Sequence, residues 1–143
     1  MTDPVTVSES FVQWLEIEGY GAFGNNLFIN RIPLKAPADS FVITTNGGQT
    51  VRRLITGEVV KQYLIQVQYR DTSNKDVDRT LFNLEERLNA KDCFYLDGFD
   101  VDYVSTSQFA SSQDIDNEEL QTGLLTVNVQ LYRAPNSAPN IES

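Results

Sequence analysis

The sequence predicts an α+β fold: a mainly antiparallel sheet with two helices packed on one face. Three observations predict it. Apolar residues fall at helical spacing in two separated stretches, one near the N-terminus and one after residue 71. Elsewhere, apolar and polar residues alternate in runs rich in β-branched and aromatic side chains. The order is helix, two short strands, a long strand, a helix, then further strands, with no internal repeat. At 143 residues and 41% apolar content the chain is long enough to bury a core as one domain. We read residues 1–133 as that domain and 134–143, "APNSAPNIES" with two prolines, as a flexible C-terminal tail.

The elements follow in order. "SESFVQWLEIEG" is a short amphipathic helix: Ser8 or Ser10 caps it, Phe11, Val12, Trp14 and Leu15 form its apolar stripe, and Gly19 stands where a left-handed C-terminal residue belongs. "NNLFINRIP" is a strand ended by Pro33. "DSFVITTNGG" is a second short strand, closed by a turn at Asn46-Gly47-Gly48. Residues Gly57 to Arg70 form a long strand in which Val59, Tyr63, Ile65, Val67 and Tyr69 share one face while Gln62, Gln66, Gln68 and Arg70 share the wetter one. Lys61 breaks the covered parity, which predicts exposure or a bulge near the start of that strand. The period then changes. Val77, Leu81, Leu84 and Leu88 place the main helix over Ser73 to Asn89, with Asp71, Thr72 or Ser73 as cap, Asp76 and Asp78 in its first turn, and Arg87 and Lys91 at its end. "DCFYLDG" and "FDVDYVSTSQF" are two strands joined near Asp97-Gly98, Ala110 to Gln121 is a long polar loop, and Thr122 to Tyr132 is the closing strand.

"GYGAFG", Gly19 to Gly24, spells the G-x-G-x-x-G of a dinucleotide-binding turn. That motif works only between a strand and a following helix, whose free N–H groups then meet the pyrophosphate. Here the glycines follow a helix and precede a strand. We therefore expect a glycine-rich turn and no cofactor.

Composition narrows the function classes. There is no histidine and a single cysteine, Cys93, so an internal disulfide, a zinc site and a histidine-activated nucleophile all lack their parts. Cys93 is expected as a small buried hydrophobe and Trp14 as core. The first residues have neither a basic start nor an apolar core of a signal peptide, and no run is long enough to span a membrane, so a cytosolic chain without membrane contact is expected. The net charge of −9 disfavours sequence-independent nucleic-acid binding. The layout is polarised: ten of the eleven basic residues lie between Arg31 and Lys91, and Asp92 to Glu119 holds eight carboxylates and no base.

The best enzymatic reading uses Asp97, Asp100 and Asp102 with Asp114, Asp116, Glu118 and Glu119 as metal ligands or acid–base groups. In "LDGFDVDY" the glycine precedes the later acids, so the calcium-loop pattern is not met. We read these carboxylates as solvated, expect neither catalytic residues nor a metal, and expect no enzyme. Arg52 and Arg53, placed at the turn after the second strand, suit a partner's carboxylate or a phosphate. Gln66, Gln68 and Arg70 on the wetter strand face are ordinary solvent-facing residues in a monomer and interface in an assembly. In an assembly, at least part of the segment that holds Asp114, Asp116, Glu118 and Glu119 is expected against a basic surface of a neighbouring subunit, and any acids left over would line a central channel.

The segments "FVQWLEIEGYGAFGNNLFINRIP", "VRRLITGEVVKQYLIQVQYRD" and "LFNLEERLNAKDCFYLDGFDVDYV" resemble the tail terminator proteins of long-tailed bacteriophages, including those known as minor capsid or tail completion proteins. The likeness covers roughly residues 8–133 and rests on the arrangement of elements rather than on an active-site motif. The resemblance implies a structural virion protein of the tail and neck. It forms a ring, usually of six subunits, that stops tail-tube growth and presents a surface to the head-side connector, and it is made in the bacterial cytoplasm before assembly. Its partners are other copies of itself, the tail tube protein and a head completion protein, with genomic DNA passing through unbound. A head-closure or head–tail joining protein is the nearest alternative, and a metal-dependent enzyme using Asp97 to Glu119 is the alternative from another class.

Overall fold

The computed structural model of the chain describes residues 6–33, 36–90, 94–96, 98–113 and 120–133. Its elements are α1 (Val7–Ile17), β1 (Leu27–Ile29), β2 (Ser40–Arg53), β3 (Val59–Asp71), α2 (Asn74–Asn89), β4 (Asp100–Gln113) and β5 (Gln121–Arg133). They form one five-stranded sheet in the order β1-β2-β3-β5-β4. Only β1 and β2 pair in parallel; the other three pairings are antiparallel. Because β5 lies between them, β3 and β4 run the same way, and α2 is the crossover that joins them. The fold is α+β with both helices on one face, as the periodicities predict.

Helix α1 is capped by Thr6, ahead of both expected caps, Ser8 and Ser10. The Thr6 hydroxyl accepts from the Glu9 amide at 3.1 Å while the Glu9 carboxylate accepts from the Thr6 amide at 3.2 Å, a reciprocal box that Ser8, with Phe11 three residues on, cannot make. Ser8 instead bonds the Thr45 hydroxyl, and Ser10 is buried. The earlier start adds Val7 to the stripe of Phe11 and Leu15. At the other end the Tyr20 amide reaches the Leu15 carbonyl and the Gly19 amide the Glu16 carbonyl, a Schellman ending that turns Tyr20 onto the core. Helix α2 has Ser73 as cap and buries Val77, Leu81, Leu84 and Leu88 as expected. Arg87 in its last turn meets Glu18 at 2.5 Å, linking the ends of the two helices.

The covered sheet face is built from Phe41 and Ile43 on β2, Ile65, Val67 and Tyr69 on β3, and Leu125, Val127, Val129 and Leu131 on β5. These join both helix stripes in one core, with Trp14 inside it. Each large apolar side chain taken out of water here contributes about 1.5–3 kcal/mol.

Three boundaries differ from expectation. Asn46-Gly47-Gly48 is no turn: β2 runs through it for 14 residues, and the reversal comes at Leu54 to Glu58, closed by Leu54 N–H to Glu58 at 2.8 Å. The thirteen residues of β3 demand a partner of matching length, so the left-handed glycines are absorbed as bulges, where register shifts between Gly47 and Gln49 and again between Thr50 and Arg52. Gly47, at φ 122°, leaves room for nothing else, since a Cβ there would lie 2.6 Å from the Gln62 carbonyl oxygen. The irregularity expected at Lys61 is therefore on the opposite strand; β3 itself pairs with β5 without a break from Val59 to Asp71. Before β4, the described residues show one isolated bridge, Leu96 with Phe99, where a separate strand was expected. Finally, Ala110 to Gln113 continue β4 and Gln121 begins β5, so the polar loop is shorter than read. Cross-strand pairing of long partners again wins over weak local preference. Lys91 and Cys93 lie outside the described residues, as does the tail from 134 to 143.

Candidate functional site

Strand pleating puts the even-numbered residues of β3 and β5 on the sheet face that carries no helix. Register then fixes their neighbours. One row across the face is Thr44, Gln66, Thr126 and Ser107; the next is Asn46, Leu64, Asn128 and Ser105. The rows to either side hold Val42, Gln68 and Leu124, and Gln62, Gln130 and Tyr103. No charge stands in these four rows, in a chain of net charge −9. Leu64 keeps 36% of its surface exposed and Tyr103 53%. At the centre, Asn128 Oδ1 is screened from solvent without a hydrogen-bond partner. Such an unmet group typically costs about 1–3 kcal/mol.

Charge collects at the two ends. At one, Arg70 donates to the carbonyls of Ala36 at 3.3 Å and Pro37 at 3.4 Å, holding the segment before β2, while its Nε is left buried and unpaired. At the other, Arg52 stands opposite Val60, and Val60 opposite Tyr132. Arg52 reaches Asp102 at 2.9 Å, and the Tyr132 hydroxyl donates to the Glu58 carboxylate. That bond to a carboxylate holds the Tyr132 phenol above its ordinary pKa. Val60 is fully buried although it lies on the open face. Its cross-strand neighbours there are Arg52 and Tyr132.

Of the residues singled out from the sequence, Gln66, Gln68 and Arg70 do share this face, as alternation predicts. Gln68 is exposed, Gln66 and Arg70 half-buried. Arg52 and Arg53 are not in a turn; they end β2, just before the reversal. Arg52 belongs to the open face and is paired within the chain, whereas Arg53 takes the opposite parity and is exposed. The pair with Asp102 joins the basic and the acidic sections of the sequence inside one subunit, which the charge layout alone does not reveal. Asp97, Asp114, Asp116, Glu118 and Glu119 lie outside the described residues. Glu58, Tyr103 and Tyr132 are the surface residues that sequence reading missed, and Asp102, read there as a solvated acid, is the partner of Arg52. Parity counted back from the regular β5 identifies Tyr132; the bulge between Val101 and Tyr103 reverses β4 and hides Tyr103, and Glu58 lies in the reversal before β3, where no parity applies.

Among the described residues no three carboxylate or cysteine side chains gather as metal ligands, and no helix is long and apolar enough to cross a membrane. No known protein-family model matches the chain, and no curated protein matches it.

Proposed function

We propose that this chain is a structural subunit that assembles with copies of itself into a ring at the head-proximal end of a phage tail tube, ending tube growth and meeting the head-side connector. The observation that carries this reading is the open sheet face, whose uncharged rows run out to β4, a 14-residue edge strand. A face made only for solvent in so acidic a chain would share in its charge; this one is kept neutral, as the cores of protein interfaces are depleted of charge. A long edge strand offers a further line of unpaired backbone groups to a neighbour. The resemblance of the three quoted segments to tail terminator proteins supplies the ring and its place. Head closure is the related role within the same assembly.

Electron microscopy of phage particles labelled with an antibody to this chain, paired with light scattering on the purified chain, tests the reading. Label at the head–tail junction and metal-independent oligomers are expected. Particles without label, or a monomer whose melting temperature rises on adding divalent cations, would overturn it in favour of a metal-dependent enzyme.

A further inference from the structure

A second feature lies on the helix side, away from the open face. The end of α1, the start of β2, the end of β3 and the middle of α2 enclose an open cavity of about 250 Å³. Three rings reach its lining, which is otherwise polar: Tyr20 and Phe41 stand at 84° with ring centres 6.1 Å apart, and Tyr69 continues from Phe41 at 4.4 Å, with Phe41 and Tyr69 largely buried and Tyr20 half-buried. Asp39 and Asn83 line it beside them. The glycine-rich turn forms its rim. Asn26 accepts from the Ala22 amide at 2.9 Å and donates to the carbonyls of Tyr20 and Asp39, both at 3.4 Å, so the turn is fastened to the segment that carries Asp39. A Cβ on Gly21 would lie 2.2 Å from Asn26 Oδ1, which explains one glycine of the G-x-G-x-x-G by close approach.

Carboxylates stand at and beside the cavity. Asp39 lines the cavity and Asp71 sits on the Tyr69 hydroxyl at 2.8 Å; neither makes an ion pair among the described residues. The cation that acts on Tyr20, Arg87, is already bound to Glu18. Burial, the bond to Asp71 and the charges of Asp71 and Asp39 all hold the Tyr69 phenol well above its ordinary range. Asp39 supplies negative charge at the cavity and Tyr20, the least buried of the three rings, supplies aromatic surface, a pairing that favours a cationic guest. An anion is repelled and a metal ion lacks its ligands. A volume below the roughly 300–1,000 Å³ of small-molecule sites fits a side-chain head group rather than a nucleotide or cofactor.

We propose that the Tyr20–Phe41–Tyr69 cavity is a receptor for a basic side chain, a guanidinium or ammonium group presented by a partner protein, with Asp39 as its counter-ion. This does not depend on the ring reading, because the cavity is complete within one subunit. The test is NMR of the full chain titrated with Nα-acetyl-arginine amide and, separately, with the uncharged citrulline analogue. Saturable shifts at the rings of Tyr20, Phe41 and Tyr69 and at the Asn83 amide are expected, with affinity on the order of millimolar for one isolated head group. The citrulline analogue and the Asp39→Asn variant should each bind at least about fivefold more weakly, while Asp78→Asn, on exposed α2 surface, should match the parent. Should Asp39→Asn fail to fold by circular dichroism, Tyr20→Leu reads the same loss. Equal response to both analogues, binding unaffected by either variant, or shifts only elsewhere would overturn the proposal. Light scattering with and without the arginine analogue assigns the source: oligomers that dissociate show the basic residue to be a second copy's, and an unchanged state with binding retained shows it to be another protein's.

Discussion

Leu64 and Ile65 are adjacent on β3, and the pleat sends them to opposite sides of the sheet. Ile65 is fully buried under the helices; Leu64, among glutamine, asparagine, threonine and serine, keeps 36% of its surface in solvent. The covered face is apolar along the part of each central strand that lies under the helices, with Lys61 near one end, while the open face is neutral and polar with its charges at the two ends. The first composition is what burying a core requires. The second is neither a core nor an ordinary acidic surface, and on the function proposed above it is the face that meets another protein.

The largest test of that contrast is truncation. Leu84→Ala, in the buried stripe of α2, is expected to cost about 2–5 kcal/mol in urea denaturation of the isolated chain. Leu64→Ala on the open face should cost less than about 1 kcal/mol there, and should show its main effect on oligomer formation. Equal losses in the isolated chain would mean that the open face is already buried. Removing the α2 cap with Ser73→Ala should cost about 1 kcal/mol, read from the same transition, because the Lys75 and Asp76 amides lose their acceptor.

Each face carries a tyrosine whose raised pKa makes it respond to base. Tyr69 on the covered side has a raised pKa through burial and its Asp71 partner, so the folded state keeps a proton that the unfolded chain gives up near the ordinary value of 10.0. Its contribution to stability is thus whole below that pH and is lost as pH rises above it. A pH series of thermal melts should show an alkaline decline that Tyr69→Phe flattens. An unaltered decline would place the titrating group elsewhere, with Tyr132 the first candidate on the open side.

The smallest effects on stability belong to the charged end. The Arg52–Asp102 pair has side chains 52% and 35% exposed, so a double-mutant cycle should give a coupling of about 1 kcal/mol or less. Replacing Arg52 and Arg53 together with alanine should leave folding nearly unchanged and weaken particle assembly; normal assembly would remove these arginines from the interface. Asp114 and Asp116 changed to lysine should alter the association rate at low salt more than at moderate salt, and unchanged association at both would take these acids away from the subunit boundary.

Much of the fold was legible because its signals are local. A helix declares itself through one period and one cap, and α2 follows from Ser73, Val77, Leu81, Leu84 and Leu88 alone. Alternation likewise placed Gln66, Gln68 and Arg70 together. The errors fall where a distant strand overrules a local preference. Asn46-Gly47-Gly48 carries the chemistry of a turn, yet pairing along β3 makes it a bulge, which moves Arg52 and Arg53 from a loop onto a strand end and turns only Arg52 toward the open face.

By itself, then, the sequence determined the two helices, the alternation of the long strands, the order helix–glycine turn–strand that rules against a dinucleotide site, and the absence of histidine. Only the tertiary structure decided the order β1-β2-β3-β5-β4, the pairing of Arg52 with Asp102, and the meeting of Tyr20, Asp39, Phe41 and Tyr69 around one cavity. The physical reason is range: periodicity and capping are fixed by residues a few positions apart, whereas register, bulges and cavities depend on contacts between strands far apart in the chain, whose gain in buried surface outweighs the local preferences they override.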